Sequence, residues 1–183
     1  MKKTITWLTL SLAAAVPAGC SQTSPPAAQT PSAEGAKYLL ADEPAGAVPV
    51  KEVRGAAKDG DEVVIVGRIG GSAQPWVEGR AGFLIVDPSF LPCNEKEDDA
   101  CPTPWDYCCD AKEDLVKGMA TVKVVDAGGQ TVPADARQLL GLKELDTVVV
   151  RGRARRDEQG NLTVLAAGVH RRPGVTKSEA KTP

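Results

Sequence analysis

Five β-rich segments, in one particular order, constrain the fold of this chain more than any other feature. The first contains four consecutive β-branched residues, Val63 to Val66. The third alternates Ala120, Val122 and Val124 with polar residues, a pattern typical of strands. Between the third and fourth segments, a proline followed by apolar residues at helical spacing predicts one short helix. In chain order these segments read DEVVIVGRIGG, GFLIVDP, MATVKVVDAGG, the helix PADARQLLGL, and the two-stranded hairpin DTVVVRGRARRDEQGNLTVLAAGVHRR.

Three strands, a helix and a closing hairpin are the order of the OB-fold, a small five-stranded barrel. The fold class is therefore predicted to be all-β with one or two short helices. The segments VKEVRGAAKDGDEVVIVGRI, FLIVD, TVKVV and DTVVVRGRARRDEQGNLTV resemble bacterial periplasmic OB-fold proteins, and the domain is also similar to anticodon-binding-like OB domains. This resemblance implies a binding face for an oligonucleotide, an oligosaccharide, a peptide or a small cationic ligand.

Alternation within the strands predicts the interior of the barrel. Every second residue of a barrel strand points inward, so apolar side chains two residues apart are expected to share the core. The predicted core residues are Val64, Val66, Leu84, Val122, Val124, Val148, Val150 and Leu165.

The first residues of the chain are typical of an export signal. Two lysines precede an apolar run from Ile5 to Val16, which is shorter than the roughly 20 residues of a membrane span. The ending PAGC resembles a bacterial lipobox, with Pro17 where leucine is usual. Residues 1–19 are therefore predicted to be a cleaved signal peptide, and Cys20 is predicted to carry lipid that anchors the protein to a membrane of the cell envelope, facing the periplasm. The alternative is an ordinary signal peptide cleaved nearby, with Cys20 left as a thiol.

Composition divides the remaining chain into a tether, a domain and a tail. Residues 20–50 are rich in Pro, Ser, Ala and Gln and have little to bury, which predicts a flexible tether. Residues 51–172 are long enough for one domain with a core, and the OB barrel is expected there. Residues 173–183 are expected to be a disordered tail.

A Cys-rich insertion, residues 88–118, separates the second strand from the third. A connection of this length without clear secondary structure is unusual in a compact domain, so it is expected to be stapled or functional. Its thiols are an even set in an exported chain, which favours disulfides. Because adjacent cysteines rarely bridge each other, Cys108 and Cys109 are each expected to pair with Cys93 or Cys101, and two connectivities stay open.

The alternative for these four cysteines is a metal site. Four thiolates in one loop could hold zinc tetrahedrally, or copper in its reduced state. The C-x₇-C-x₆-C-C spacing lacks the C-x₂₋₄-C knuckles usual for zinc and the C-x-x-C of redox catalysis, so disulfides are preferred and no cofactor is expected. Acidic residues that could attract a cation surround the cysteines: Glu95, Glu97, Asp98, Asp99, Asp106, Asp110, Glu113 and Asp114.

Several other side chains are candidates for ligand binding. Trp76 lies on the loop between the first two strands, where it could contact a ligand or cap the barrel. Trp105 and Tyr107, in the insertion, are expected to pack over the barrel mouth, with a ligand-stacking role as the alternative. The alternating arginines of the fourth strand could form a cationic stripe or protect an edge, and they are Arg151, Arg153 and Arg155.

The same residues argue against two function classes. Nucleic-acid binding needs stacking aromatics interleaved with basic residues, and the second and third strands offer only Phe83 with Lys123, so this remains the weakest alternative. The sole histidine, His170, has no nucleophile motif beside it, and an enzyme is not expected. The predicted function is an exported, lipid-anchored OB-fold module that binds a small molecule, peptide or envelope polymer beside a disulfide-stapled acidic loop. A metal-binding or metal-sensing lipoprotein is the first alternative.

Overall fold

Five strands of the domain close into a barrel, with a short additional strand beside them. The computed structural model describes residues 30–96 and 101–173, so the predicted signal peptide, Cys20 and most of the predicted tail lie outside the described residues. Within those ranges, no helix has the length and apolar character needed to cross a bilayer. The strands are β1 (Val48–Pro49), β2 (Glu62–Ile69), β3 (Gly82–Val86), β4 (Met119–Val124), β5 (Thr147–Arg156) and β6 (Leu162–Arg171), and the helices are α1 (Val50–Ala56), α2 (Lys112–Lys117) and α3 (Ala136–Leu140).

The strand pairing confirms the predicted all-β, OB-like barrel. The sheet order is β1-β2-β3-β4-β6-β5, and β2 also pairs with β5, which closes the ring. The β2–β5 ladder is antiparallel and runs from Glu62 opposite Arg153 to Arg68 opposite Thr147. The β4–β6 pair is parallel, whereas the other pairs within the barrel are antiparallel. β6, the last strand of the barrel, thus lies parallel to β4, the third barrel strand. This is the Greek-key closure expected of an OB-fold barrel.

The core prediction is right in two strands and shifted by one residue in the others. Val122, Val124, Val148 and Val150 are fully buried in the main core, and Val66 is buried outside that cluster. The prediction is wrong for Val64, Leu84 and Leu165, which are only partly buried. Runs such as VVIV and FLIV carry apolar side chains on both faces, so alternation alone cannot show which face is interior. The residues that fill the core in their place are Ile65, Phe83, Ile85, Val164 and Ala166.

The Cys-rich insertion leaves the barrel at the end of β3 and returns at the start of β4. The backbone N–H of Asp87 donates to the carbonyl of Gly118 at 2.8 Å, which joins the two ends of the insertion. Contrary to the expectation of an irregular loop, the insertion contains α2 and two 3₁₀ turns, Cys93–Glu95 and Pro104–Asp106. It also has its own small core, formed by Val86, Phe90, Tyr107 and Leu115 with Met119 packed against them.

Candidate metal centre

The turn that follows β2 holds the tip of the insertion against the barrel. The backbone N–H of Gly71 donates to the Trp105 carbonyl at 2.8 Å. The Trp105 indole Nε1 donates to the Ala73 carbonyl at 3.2 Å. A Cβ at Gly70 would lie only 2.4 Å from the Trp105 carbonyl oxygen, so this close approach requires glycine. Trp105 therefore fastens the insertion to the turn after β2.

Tyr107 turns the chain immediately before the adjacent cysteines. Its backbone is left-handed, with φ 57° and ψ 34°, where it ends the Pro104–Asp106 turn. The side chain is fully buried and packs edge-on against Phe90, with ring centroids 6.5 Å apart. Burial raises the pKa of Tyr107 to about 12 despite the nearby charge of Arg68. No hydrogen bond of acceptable geometry reaches its hydroxyl from the described residues. Tyr107 is thus a packing residue beneath the cysteines rather than an exposed stacking platform.

The sulfur of Cys108 lies close to the sulfurs of the three other cysteines of the insertion. The Sγ of Cys108 lies 3.7 Å from that of Cys101, 3.9 Å from that of Cys93 and 3.9 Å from that of Cys109. The sulfurs of Cys93 and Cys109 are 4.0 Å apart. Four thiolates bound tetrahedrally at the usual Zn–S length of about 2.3 Å lie about 3.75 Å from one another. These four of the six separations are close to that value.

This arrangement departs from the preferred prediction of two disulfides. Across the described part of the chain, none of the four cysteines forms a disulfide. The measured sulfur separations are nearly twice the bonded distance of about 2.05 Å. An even thiol count suggests pairs, but here three sulfurs surround a fourth at similar distances, and no pair is set apart from the rest.

Asp106, one of the acidic residues named as able to attract a cation, belongs to the same cluster. The ligand atoms of Cys93, Cys101, Asp106 and Cys108 all lie within 4.8 Å of one another. Cys109 is not in this set, but its sulfur is close to those of Cys93 and Cys108. One carboxylate oxygen of Asp106 accepts from the Cys108 backbone N–H at 2.9 Å, and the other accepts from the Thr103 hydroxyl at 2.7 Å. Burial opposes ionisation of Asp106, but these two hydrogen bonds outweigh it and keep the pKa of the carboxyl below its usual range. The aspartate two residues before Cys108 is the sequence signal for this turn.

Charged side chains surround the thiols. Lys96 forms an ion pair with Asp110 at 3.0 Å. This bond is the main reason that the pKa of Lys96 is raised, and the nearby thiols of Cys109 and Cys93 add to the effect. Hydrogen bonds with neighbouring groups, first Cys101, hold the pKa of the Cys108 thiol well above its usual range. An ion that replaces these protons would receive several sulfur donors at once, with a lysine ammonium nearby to offset their charge.

Trp76, the first of the other ligand candidates, is engaged in the barrel itself. Its indole Nε1 donates to the Glu144 carboxylate at 2.6 Å. The ring packs against Phe83 with centroids 5.8 Å apart, and the Arg137 guanidinium lies 5.7 Å from its centre. Trp76 is thus held by contacts with Glu144, Phe83 and Arg137 of the barrel domain.

Two of the three arginines in the predicted stripe are neutralised by carboxylates. Arg153 forms an ion pair with Glu62 at 2.9 Å, and Arg155 forms one with Asp59 at 3.0 Å. Arg151 is exposed and lines a groove of about 660 Å³ between α1 and β2. Two of the three predicted stripe arginines therefore lie in exposed ion pairs on the surface.

No protein-family model matches the chain, and no curated protein matches it significantly.

Proposed function

We propose that this protein binds a metal ion through Cys93, Cys101, Cys108 and Cys109. The observation that carries the proposal is the set of sulfur separations, 3.7–4.0 Å, with Cys108 in contact with the three others. Four sulfur ligands from a short segment, held by a small apolar core, are the composition of a closed thiolate site. The OB barrel serves as the support on which this site is built.

Zinc is the ion that this ligand set suits best. Thiolates are soft ligands that select zinc or reduced copper over calcium, magnesium or manganese. Zinc favours four ligands at tetrahedral angles, and four sulfurs are present. Such a site leaves no open position for a substrate or a reactive water, so it binds or senses metal and is not a hydrolytic centre. Asp106 supports the site from outside by holding the Cys108 backbone through its carboxylate.

The proposal places this activity at the cell envelope. An export signal followed by PAGC supports delivery across the inner membrane and attachment through Cys20. A metal site on an anchored, tethered barrel would buffer or sense metal in the periplasm.

Metal analysis of the purified full chain tests the proposed binding. After reduction and incubation with zinc, the wild type is expected to retain about one zinc ion per chain through desalting. Cys108→Ser should lose most of this zinc because it removes the sulfur that contacts the three others. Cys20→Ser is the matched control, since it also removes one cysteine but leaves the centre intact, and it should retain zinc as the wild type does. Wild-type protein that carries four reduced thiols in the insertion and no zinc would refute the proposal.

A further inference from the structure

We propose that the thiolate centre is also a redox switch, in which two equivalents of a hydroperoxide convert it to two disulfides, Cys101–Cys108 and Cys93–Cys109, and release its metal. The metal-release half of this inference rests on the proposed zinc binding. The disulfide half rests only on the sulfur geometry.

The sulfur distances indicate which pairs form. The shortest separation is between Cys101 and Cys108, at 3.7 Å, and Cys93 lies 4.0 Å from Cys109. These two pairs use every sulfur once. Each sulfur pair must close by about 2 Å or less to reach a bond of about 2.05 Å, which side-chain rotation can supply. The alternative connectivity would bridge Cys101 to Cys109, and Cys109 is not in the set of ligand atoms within 4.8 Å of one another that contains Cys101. We therefore favour the first connectivity.

Exposure indicates where the oxidation begins. Cys108 is exposed, whereas Cys93 is fully buried. Cys109 is exposed as well, so exposure places the first oxidation at Cys108 or Cys109 rather than Cys93. We assign it to Cys108 because its sulfur is close to three others, of which Cys101 is the nearest. Because Cys108 contacts the three other sulfurs, its oxidation removes the ligand on which the centre depends most.

The chemistry balances with a hydroperoxide as the oxidant. The Cys108 sulfur attacks the distal peroxide oxygen, the O–O bond breaks, and the leaving alkoxide takes a proton to become an alcohol, or water when the oxidant is hydrogen peroxide. The Cys101 sulfur then attacks the sulfenic sulfur of Cys108 and displaces hydroxide, which leaves as water after protonation. In sum, two thiolates, one hydroperoxide and two protons give one disulfide, one alcohol and one water. The metal loses two of its four sulfur ligands in this step.

Peroxide titration of the zinc-loaded full chain tests the switch. Zinc release would be followed with a chromogenic chelator, and disulfides would be located by peptide mapping without reduction. We expect Cys101–Cys108 to form first, zinc to leave in proportion to it, and Cys93–Cys109 to follow at higher peroxide. A dominant Cys93–Cys108 or Cys108–Cys109 bridge, oxidation to sulfinic acid without disulfides, or zinc that stays bound after Cys101 and Cys108 have bridged would overturn the proposal.

A variant and a metal-free control separate the two proposals. In a variant that keeps Cys108 and has serine at positions 93, 101 and 109, no other thiol of the insertion can resolve the sulfenic acid on Cys108, so it should persist long enough to be trapped by a dimedone reagent. Cys20→Ser should map like the wild type. If the wild type binds no zinc, the proposed function fails, but mapping of the oxidised metal-free chain still decides the pairing. If zinc binds and the wrong pairs form, the switch fails while the metal site stands.

Discussion

Asp106 shows how a single residue organises the cysteine centre. Its carboxylate accepts from the Cys108 backbone and from the Thr103 hydroxyl, so it fixes both the turn and the residue that lies among the other sulfurs. Its Oδ1 also lies 3.9 Å from the Cys101 sulfur. Both carboxylate oxygens are therefore occupied by donors, which favours a positioning role over direct metal coordination.

Asp106→Ala is expected to weaken zinc binding about 10- to 100-fold, which is the usual loss of metal affinity when a group that orients a metal ligand is removed. Competition with a chromogenic chelator measures the affinity. Asp106→Asn retains an oxygen acceptor for the Cys108 N–H and should recover much of the loss. Glu113→Ala, an exposed carboxylate of the same insertion, is the control and should bind zinc as tightly as the wild type. Equal affinity in Asp106→Ala and the wild type would show that Asp106 does not position the site.

Asp87 connects helix α1 to the base of the insertion. Its backbone joins β3 to the residue before β4 through Gly118, as described above. Its side chain accepts from the Lys51 N–H in the first turn of α1 at 2.7 Å, and from the Ser89 N–H at 3.0 Å. One buried carboxylate thus satisfies an otherwise unpaired donor of the helix and stabilises the start of the insertion.

The pKa of Asp87 predicts how this junction responds to acid. Burial opposes ionisation, but the hydrogen bonds from Lys51 and Ser89 outweigh it and lower the pKa of the folded state. A carboxyl with a lowered folded pKa contributes stability above its unfolded pKa of about 3.9, and this contribution is lost as the pH falls through the folded value. Asp87→Asn should therefore lower the free energy of unfolding by about 1 kcal/mol at pH 7. The difference in unfolding free energy between variant and wild type should shrink as the pH falls below about 4.

Urea unfolding at several pH values measures this difference. Glu158→Gln, at an exposed turn position between β5 and β6, is the matched control and should change stability little at any of them. A loss of unfolding free energy in Asp87→Asn that stays the same from pH 7 to pH 3 would contradict a stabilising role of the Asp87 charge.

Some features of the strands and helices could be predicted from the sequence, and others could not. Strand order and the helix before β5 were predictable because β-branched runs, Pro133 and the turn residues signal them locally. The registers of β2, β3 and β6 were not, since their apolar side chains occupy both faces. The convergence of the cysteines was also not predictable, because it depends on the small core around Tyr107 and on the contact of Trp105 with the turn after β2. These long-range contacts bring Cys93 to Cys108 across 15 positions of the sequence.

For the whole molecule, we expect the barrel to be carried on a lipid anchor at Cys20. The apolar run and the PAGC ending motivate this expectation. Membrane fractionation of the native host should find the wild type with the membranes and Cys20→Ala released into the soluble envelope fraction, because acyl chains are its predicted attachment. Cys109→Ala, which removes a different cysteine, should stay with the membranes. A Cys20→Ala variant that remains as fully membrane-bound as the wild type would rule out the anchor.

The central claim is that the four cysteines of the insertion bind one zinc ion. X-ray absorption at the zinc edge of the zinc-loaded full chain tests it most directly, because it counts and identifies the atoms bound to the metal. We expect a single shell of about four sulfur atoms at about 2.3 Å. A shell dominated by oxygen or nitrogen atoms at about 2.0–2.1 Å would contradict the thiolate centre.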